Sequence, residues 1–244
     1  MSVNRPDALN ALDVETLTEL RDRLAELAED GDARVVVLTG AGEKAFVAGA
    51  DIRYMSGLDV DDAKAWGALG HEAARLLETM PKPTIAAING FALGGGCELA
   101  LACDLRYAST AAKLGQPEIN LGIIPGWGGT QRLARATTLG FAKELILTGR
   151  LVGADEAKER GLVNAVFEPG ELLDKTLETA RQLAAKGPIA LAAAKEAINR
   201  ALGGDHAANL EREGDRFGEL FSSEDAKEGL TAFVDKREPA FRGR

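Results

Sequence analysis

Cysteine is nearly absent: Cys97 and Cys103 are the only two in 244 residues, which excludes a disulfide-stapled scaffold. Six positions apart on one expected helix, they point to different faces, so no bond between them is expected. Thiols left reduced suit a cytoplasmic location. Histidine is equally scarce. His71 and His206 lie in separate helical stretches with no Cys or His neighbour at ligand spacing, so no zinc site is expected and both read as exposed helix positions.

Positive charge is in deficit: 29 Lys and Arg face 38 Asp and Glu, for a net charge of −9. No broad basic field exists for sequence-independent nucleic-acid binding, and nucleic acid is not expected as a partner. Long apolar runs are missing as well. Asn89, Glu98 and Asp104 interrupt the most hydrophobic stretch well short of the roughly 20 residues of a spanning helix, so no membrane partner is expected. The opening Met1-Ser-Val-Asn-Arg-Pro-Asp7 lacks the apolar centre of a secretion signal. The nucleotide signatures G-x-G-x-x-G and G-x-x-x-x-G-K-[ST] and the nucleophile elbow G-x-S-x-G do not occur.

What is present is an ordinary globular balance, 45% hydrophobic and 27% charged. A chain of this length buries roughly 70–75% of its unfolded surface and needs no metal or disulfide to hold a core. Val14, Leu17, Leu20, Leu24 and Leu27 share one face of a helix over 13–29 that Asp13 caps. Arg34-Val-Val-Val-Leu-Thr-Gly40 reads as a strand buried on both faces, which implies parallel sheet. The alternation continues with a helix near 61–79, a strand over 83–90, a helix from Gly95 to Cys103 and a strand over 104–108. Further helices are expected over 139–148 and 154–160, and a last strand over 162–167. This order implies an α/β layered fold.

Beyond about 170 the strand signal stops, and helices follow one another, broken at Gly187-Pro188, Gly203-Gly204 and Ser222-Ser223. The expected division is therefore an α/β core over 1–170 and a helical region over 171–244. Alanine-rich Ile189–Leu202 offers a small, flat face for subunit packing or for the core.

The segment Phe91-Ala-Leu-Gly-Gly-Gly-Cys-Glu-Leu-Ala-Leu-Ala-Cys103 carries one carboxylate, Glu98, in an apolar helix. An ionised group in an apolar interior costs several kcal/mol unless it is paired, hydrogen-bonded or neutralised, and catalytic acids and bases occupy such surroundings. The glycines at the helix start leave backbone N–H groups open to a developing negative charge. The alternative is that the glycines serve only packing and Glu98 faces solvent. Twenty residues on, Gln116-Pro-Glu118 supplies a second carboxylate, either a partner for acid–base work or an exposed loop residue. Ala45-Phe-Val-Ala-Gly-Ala-Asp-Ile52 is a small-residue turn able to approach a ligand closely, with Asp51 the natural cap of the helix that follows.

Together these segments resemble the crotonase, or enoyl-CoA hydratase/isomerase, family over essentially the whole chain. The resemblance rests on four motifs in order: Asn4-Arg-Pro-Asp-Ala-Leu-Asn-Ala-Leu12, Ala45–Ile52, Asn89–Ala100 and Gly115–Leu133. It extends to a closing helix, Ser223–Arg237. It implies a spiral of ββα units with a helical C-terminal trimerisation region, a homotrimer or a homohexamer of two trimers, and an acyl-CoA thioester as substrate. No metal and no cofactor beyond the substrate's own CoA are implied.

The resemblance further implies that the N–H groups of Ala50 and Gly95 form an oxyanion hole, a device worth about 3–4 kcal/mol per donor in other enzymes. By the same likeness, Glu98 activates water for attack at C3, Glu118 exchanges the proton at C2, and Gly126 helps to orient the water. The reaction is then enoyl-CoA hydration, with a double-bond isomerase or another acyl-CoA lyase or dehydratase as the alternative. Ala48, Asp51, Ile52 and Arg53 match the family's CoA loop, and Phe233 and Lys236 match positions that close over the nucleotide. Two positions differ from many relatives. Asp7 stands where they place a basic residue, and Trp127 stands where they place a small one, so a narrowed acyl pocket is expected unless the indole faces a subunit contact.

Overall fold

A computed structural model describes residues 1–201 and 203–244. The chain runs β1 (Ser2–Val3), α1 (Val14–Glu29), β2 (Val36–Gly40), β3 (Ala45–Val47), α2 (Ile52–Met55) and α3 (Val60–Thr79). It continues through β4 (Thr84–Ile88), β5 (Phe91–Leu93), α4 (Gly95–Ala102), β6 (Leu105–Ser109) and β7 (Lys113–Gly115). A 3-10 turn over Pro117–Leu121 leads to α5 (Gly129–Ala136), α6 (Leu139–Thr148), β8 (Leu151–Gly153), α7 (Ala154–Glu159) and β9 (Ala165–Phe167). Four helices close the chain: α8 (Leu172–Ala184), α9 (Pro188–Arg200), α10 (His206–Leu220) and α11 (Glu224–Asp235).

The strands form two sheets. One has the order β1-β2-β4-β6-β9 and is parallel throughout; the other has the order β3-β5-β7-β8, with only the β7–β8 pair antiparallel. Successive strands therefore alternate between sheets, β2 to β3, β4 to β5 and β6 to β7, with helices between the pairs. This is the ββα spiral, and the short second-sheet strands are what the sequence reading lacked. Three residues of Ala45-Phe-Val or Phe91-Ala-Leu are too few to show a period. Asn89 ties the corner between sheets: its Nδ2 donates to the carbonyls of Gly40 (3.1 Å) and Gly42 (2.8 Å), and its Oδ1 accepts from Gly40 N (3.2 Å).

Two expectations need correction. β2 alternates buried and half-buried positions, whereas β4 is buried at every residue. Val14 faces solvent, since it occupies the first turn of α1, and Leu17, Leu20 and Leu24 carry the helix's burial. Asp13 does cap α1, accepting from Thr16 N at 2.9 Å. The core between the layers contains Phe46, Leu38, Leu77, Ile88, Leu99 and Leu114.

After β9 only helices occur among the described residues. The alanine-rich helix is α9; Leu202, the last position expected for it, lies outside the described residues. Lys195 anchors α9 to the core through Asp104 (2.9 Å) and the carbonyls of Leu77 (2.9 Å) and Lys82 (3.0 Å). Helices α10 and α11 instead expose Leu210, Phe217, Phe221, Leu230, Phe233 and Val234. No described helix is long and apolar enough to cross a membrane.

Candidate active site

The three glycines before Glu98 are each fixed by a different neighbour. Gly94 has φ +51°, and a Cβ there would lie 2.7 Å from a Glu118 carboxylate oxygen. A Cβ on Gly95 would lie 2.2 Å from the Trp127 ring, and one on Gly96 would lie 1.9 Å from the Val47 carbonyl of β3. Real atoms do not approach so closely, so the run permits a carboxylate, an indole and a strand to converge on the start of α4.

All eight residues of α4 are buried, and Glu98 is 2% exposed. Its Oε1 accepts from Trp127 N (2.8 Å) and Gly129 N (2.7 Å). Gly129 opens α5, whose N-cap Gly128 supplies no side-chain acceptor, so Glu98 serves from another element as the anion at that helix start. Burial pushes the Glu98 carboxyl above its ordinary range, and the Gly129 and Trp127 N–H groups pull it back in part. The reading that puts Glu98 on a solvated face is therefore wrong, because α4 is enclosed on every side.

Glu118 lies in the 3-10 turn behind Pro117 and is half-buried. Gln116, fully buried, can turn its amide so that the nitrogen donates to Glu118 Oε1 (3.1 Å) and Oε2 (3.3 Å). Burial, and secondarily the charge of Glu98, pushes the Glu118 carboxyl up to about 7. Both carboxylates line one cavity of about 690 Å³.

Ala50 and Gly95 line the same cavity. The chain around Ala50 is held by Leu12, whose N–H donates to Gly49 O (2.9 Å) and whose carbonyl accepts from Asp51 N (2.7 Å). Arg5 braces this junction, bonding the Ala11 carbonyl (2.5 Å) and pairing with Asp13 (3.0 Å) and Asp51 (3.5 Å). Among the described residues no hydrogen bond engages the N–H of Ala50 or of Gly95.

Of the other expected site residues, Ala48, Ile52, Gly126 and Trp127 line the cavity. Gly126 sends no N–H to Glu98; that bond comes from Trp127. Trp127 is 3% exposed, which excludes a subunit contact for the indole. Asp51 caps α2, accepting from Arg53 N (3.0 Å), and is absent from the lining. Arg53 is exposed on α2 and also outside the lining. Phe233 and Lys236 end α11, exposed, and the fold does not bring them to the cavity of their own chain. The cavity wall also contains residues that the sequence did not single out, among them Met55, Leu58, Ala63, Trp66 and Gly67. The chain has only two tryptophans, and that rarity was the available signal: their rings meet edge-on at 5.2 Å. No cluster of His, Cys, Asp and Glu able to hold a metal occurs among the described residues.

Comparison with known proteins gives consistent results. The family model for enoyl-CoA hydratase/isomerase matches residues 1–244. A short-chain-enoyl-CoA hydratase of Clostridium acetobutylicum is 49% identical over 237 residues, covering 97% of this chain and 91% of that one. A crotonyl-CoA hydratase of Syntrophomonas wolfei is 48% identical over 239 residues, covering 98% and 92%. The crystal structure of an enoyl-CoA hydratase from Bacillus anthracis superposes with a TM-score of 0.96 at 45% identity, covering 100% of this chain and 94% of the other.

Proposed function

This chain belongs to the enoyl-CoA hydratase/isomerase family, and from that premise we propose that it is an enoyl-CoA hydratase, adding water reversibly across the 2,3-double bond of a trans-2-enoyl-CoA. The observation that carries the reading is one cavity that holds two desolvated carboxylates, Glu98 and Glu118, beside two unengaged N–H groups, those of Ala50 and Gly95.

The thioester carbonyl oxygen accepts from Ala50 and Gly95, which stabilises the enolate as it forms. Water attacks C3 while Glu98 takes one of its protons, and the electron pair of the double bond moves to C2. Protonated Glu118 then delivers its proton to C2, giving the 3-hydroxyacyl-CoA. The pair holds one proton before and after, and titrates as a pair. Its carboxyls differ in the way such work requires: Glu98 is fixed by two N–H bonds, and Glu118 holds its proton up to about 7. The step is redox-neutral and the N–H pair supplies the electrophilic assistance, so we propose no cofactor and no metal beyond the CoA of the substrate. A 3-enoyl isomerase needs one carboxylate; the second, buried Glu98 favours hydration.

Ala48, Asp51, Ile52 and Arg53 are proposed to seat CoA, with Gly126 near the water. Phe233 and Lys236 are exposed and do not line the cavity of their own chain, and we propose that they meet CoA held by a second copy. The exposed apolar face of α10 and α11 supports a homotrimer or a homohexamer of two trimers. Two unbridged thiols support a cytoplasmic location. Incubation with crotonyl-CoA tests the reaction: the enoyl-thioester absorbance falls with the native protein and persists with the Glu98→Gln/Glu118→Gln variant. Equal loss in both overturns the assignment.

A further inference from the structure

Behind the two carboxylates stands a cation that the hydration chemistry leaves unexplained. The backbone N–H of Arg132 closes the opening turn of α5 on Gly128 O (2.9 Å), a position where positive charge opposes the helix dipole. Its place there needs another cause, and the contacts supply one. Nη1 donates to the Trp127 carbonyl (2.8 Å), and Nη2 donates to Glu78 Oε2 of α3 (2.8 Å). Nε is buried and meets no partner among the described residues, so the guanidinium is held by those two bonds.

Trp127 and Gly129 are the residues whose N–H groups bind Glu98, and the Trp127 carbonyl lies between these donors along the chain. The loop is rich in glycine, with Gly126, Gly128 and Gly129, and Gly128 has φ +102°. Glycine backbone has the most conformational freedom to lose, so contacts from outside the loop must hold both donors on one carboxylate oxygen. The guanidinium fills the space against Gly128, where a Cβ would lie 2.2 Å from Nη1. Glu78 ties that fork to α3, the same helix whose Gly70 backs the Trp127 ring; the Arg132 and Glu78 side chains are only 14% and 32% exposed.

Resting on the hydratase reading, we propose that Arg132 is a positioning residue for hydration: its fork between Glu78 and the Trp127 carbonyl fixes the two N–H donors that keep Glu98 aimed at the attacking water. Arg132 is absent from the cavity lining and acts only through Glu98. Its charge works on the same carboxyl. Burial raises Glu98, and the Gly129 N–H, the Trp127 N–H and then the Arg132 charge lower it. The other ionisable groups around this carboxyl and its loop are Glu118 in the 3-10 turn, Cys97 on α4, and Glu78 and His71 on α3.

The test is crotonyl-CoA hydration across pH, with kcat and KM resolved, for the native protein, Arg132→Gln, Arg132→Lys and Glu78→Gln. A small misplacement of a catalytic group costs up to about 10²-fold, so Arg132→Gln should lower kcat by about that factor while KM changes little. The acid limb of kcat/KM reports the free enzyme's base, and it should move to higher pH in the same variant. Arg132→Lys keeps the charge without the planar fork, so its acid limb should stay in place while kcat still falls. Glu78→Gln frees the far side of the fork and should lower kcat by a smaller factor; it remains informative should an Arg132 variant fail to fold. Native kcat and a native acid limb in folded Arg132→Gln or Glu78→Gln protein, or a loss carried by KM alone, overturns the positioning role while leaving hydration intact. No hydration by the native protein overturns the hydratase reading and this role with it.

Discussion

Helices α4 and α10 put hydrophobic residues to opposite uses. In α4 every residue is buried and the single charge, Glu98, is enclosed with them; in α10 no residue is buried, and Leu210 and Phe217, with Phe221 just past its end, face outward beside many charges. The first helix meets neighbours on all sides within its own chain, because glycine at positions 94–96 lets a carboxylate, a ring and a strand come close. The second packs against α9 and leaves its large apolar side chains outside. A charge inside marks chemistry, and an apolar face outside marks a surface awaiting contact.

The contrast breaks most completely at Glu98. Glu98→Gln removes a carboxylate from the core but keeps its shape, and kcat should fall by about 10²–10⁴ with melting temperature little changed. A steady-state assay beside a thermal melt checks both. Enclosure itself is tested at Gly96, where a Cβ would sit 1.9 Å from the Val47 carbonyl. Gly96→Ala forces β3 and α4 apart, and chemical denaturation should show a loss of about 1–3 kcal/mol or more.

Glu118 sharpens the comparison through pH. Its carboxyl is raised to about 7 in the folded protein from an ordinary 4.5. The folded state thus binds more protons than the unfolded state between these values, so stability falls as pH rises from about 4.5 to about 7. Hydration should decline over the upper part of the same range as Glu118 loses the proton it delivers to C2. Glu118→Gln should flatten the stability profile over that window, which denaturation at several pH values reads directly.

On the open side, Phe217→Glu and Phe233→Glu should leave the fold of one chain within about 0.5 kcal/mol, as exposed substitutions do. If the apolar face joins copies, the same changes shift the protein to a smaller species in size-exclusion chromatography. An unchanged elution volume would remove that face from the assembly.

Much of the site was legible because its chemistry is rare in sequence. Glu98 stands out as one carboxylate in an apolar helix, the glycine run announces a close approach, and Glu118 follows a proline within a recognisable motif. Trp66, Gly67, Met55 and Gln116 were not legible, since an indole or amide on an ordinary segment shows nothing of what it faces. The second sheet escaped for a related reason: three-residue strands gain their hydrogen bonds from partners distant in sequence, and no local period records them.

By itself the sequence determined the alternation of strand and helix, the helical end of the chain and the pair of carboxylates, because periodicity, capping residues and a charge in apolar surroundings are local properties. Tertiary structure alone decided that Glu98 is held by the start of α5, that Glu118 rests on Gly94, and that two tryptophans from α3 and the approach to α5 close one cavity. It also decided that Phe233 and Lys236 lie outside that cavity. The physical reason is that burial, and the pKa shifts and pocket walls that follow from it, depend on which distant segments pack together, and a linear chain does not carry that information residue by residue.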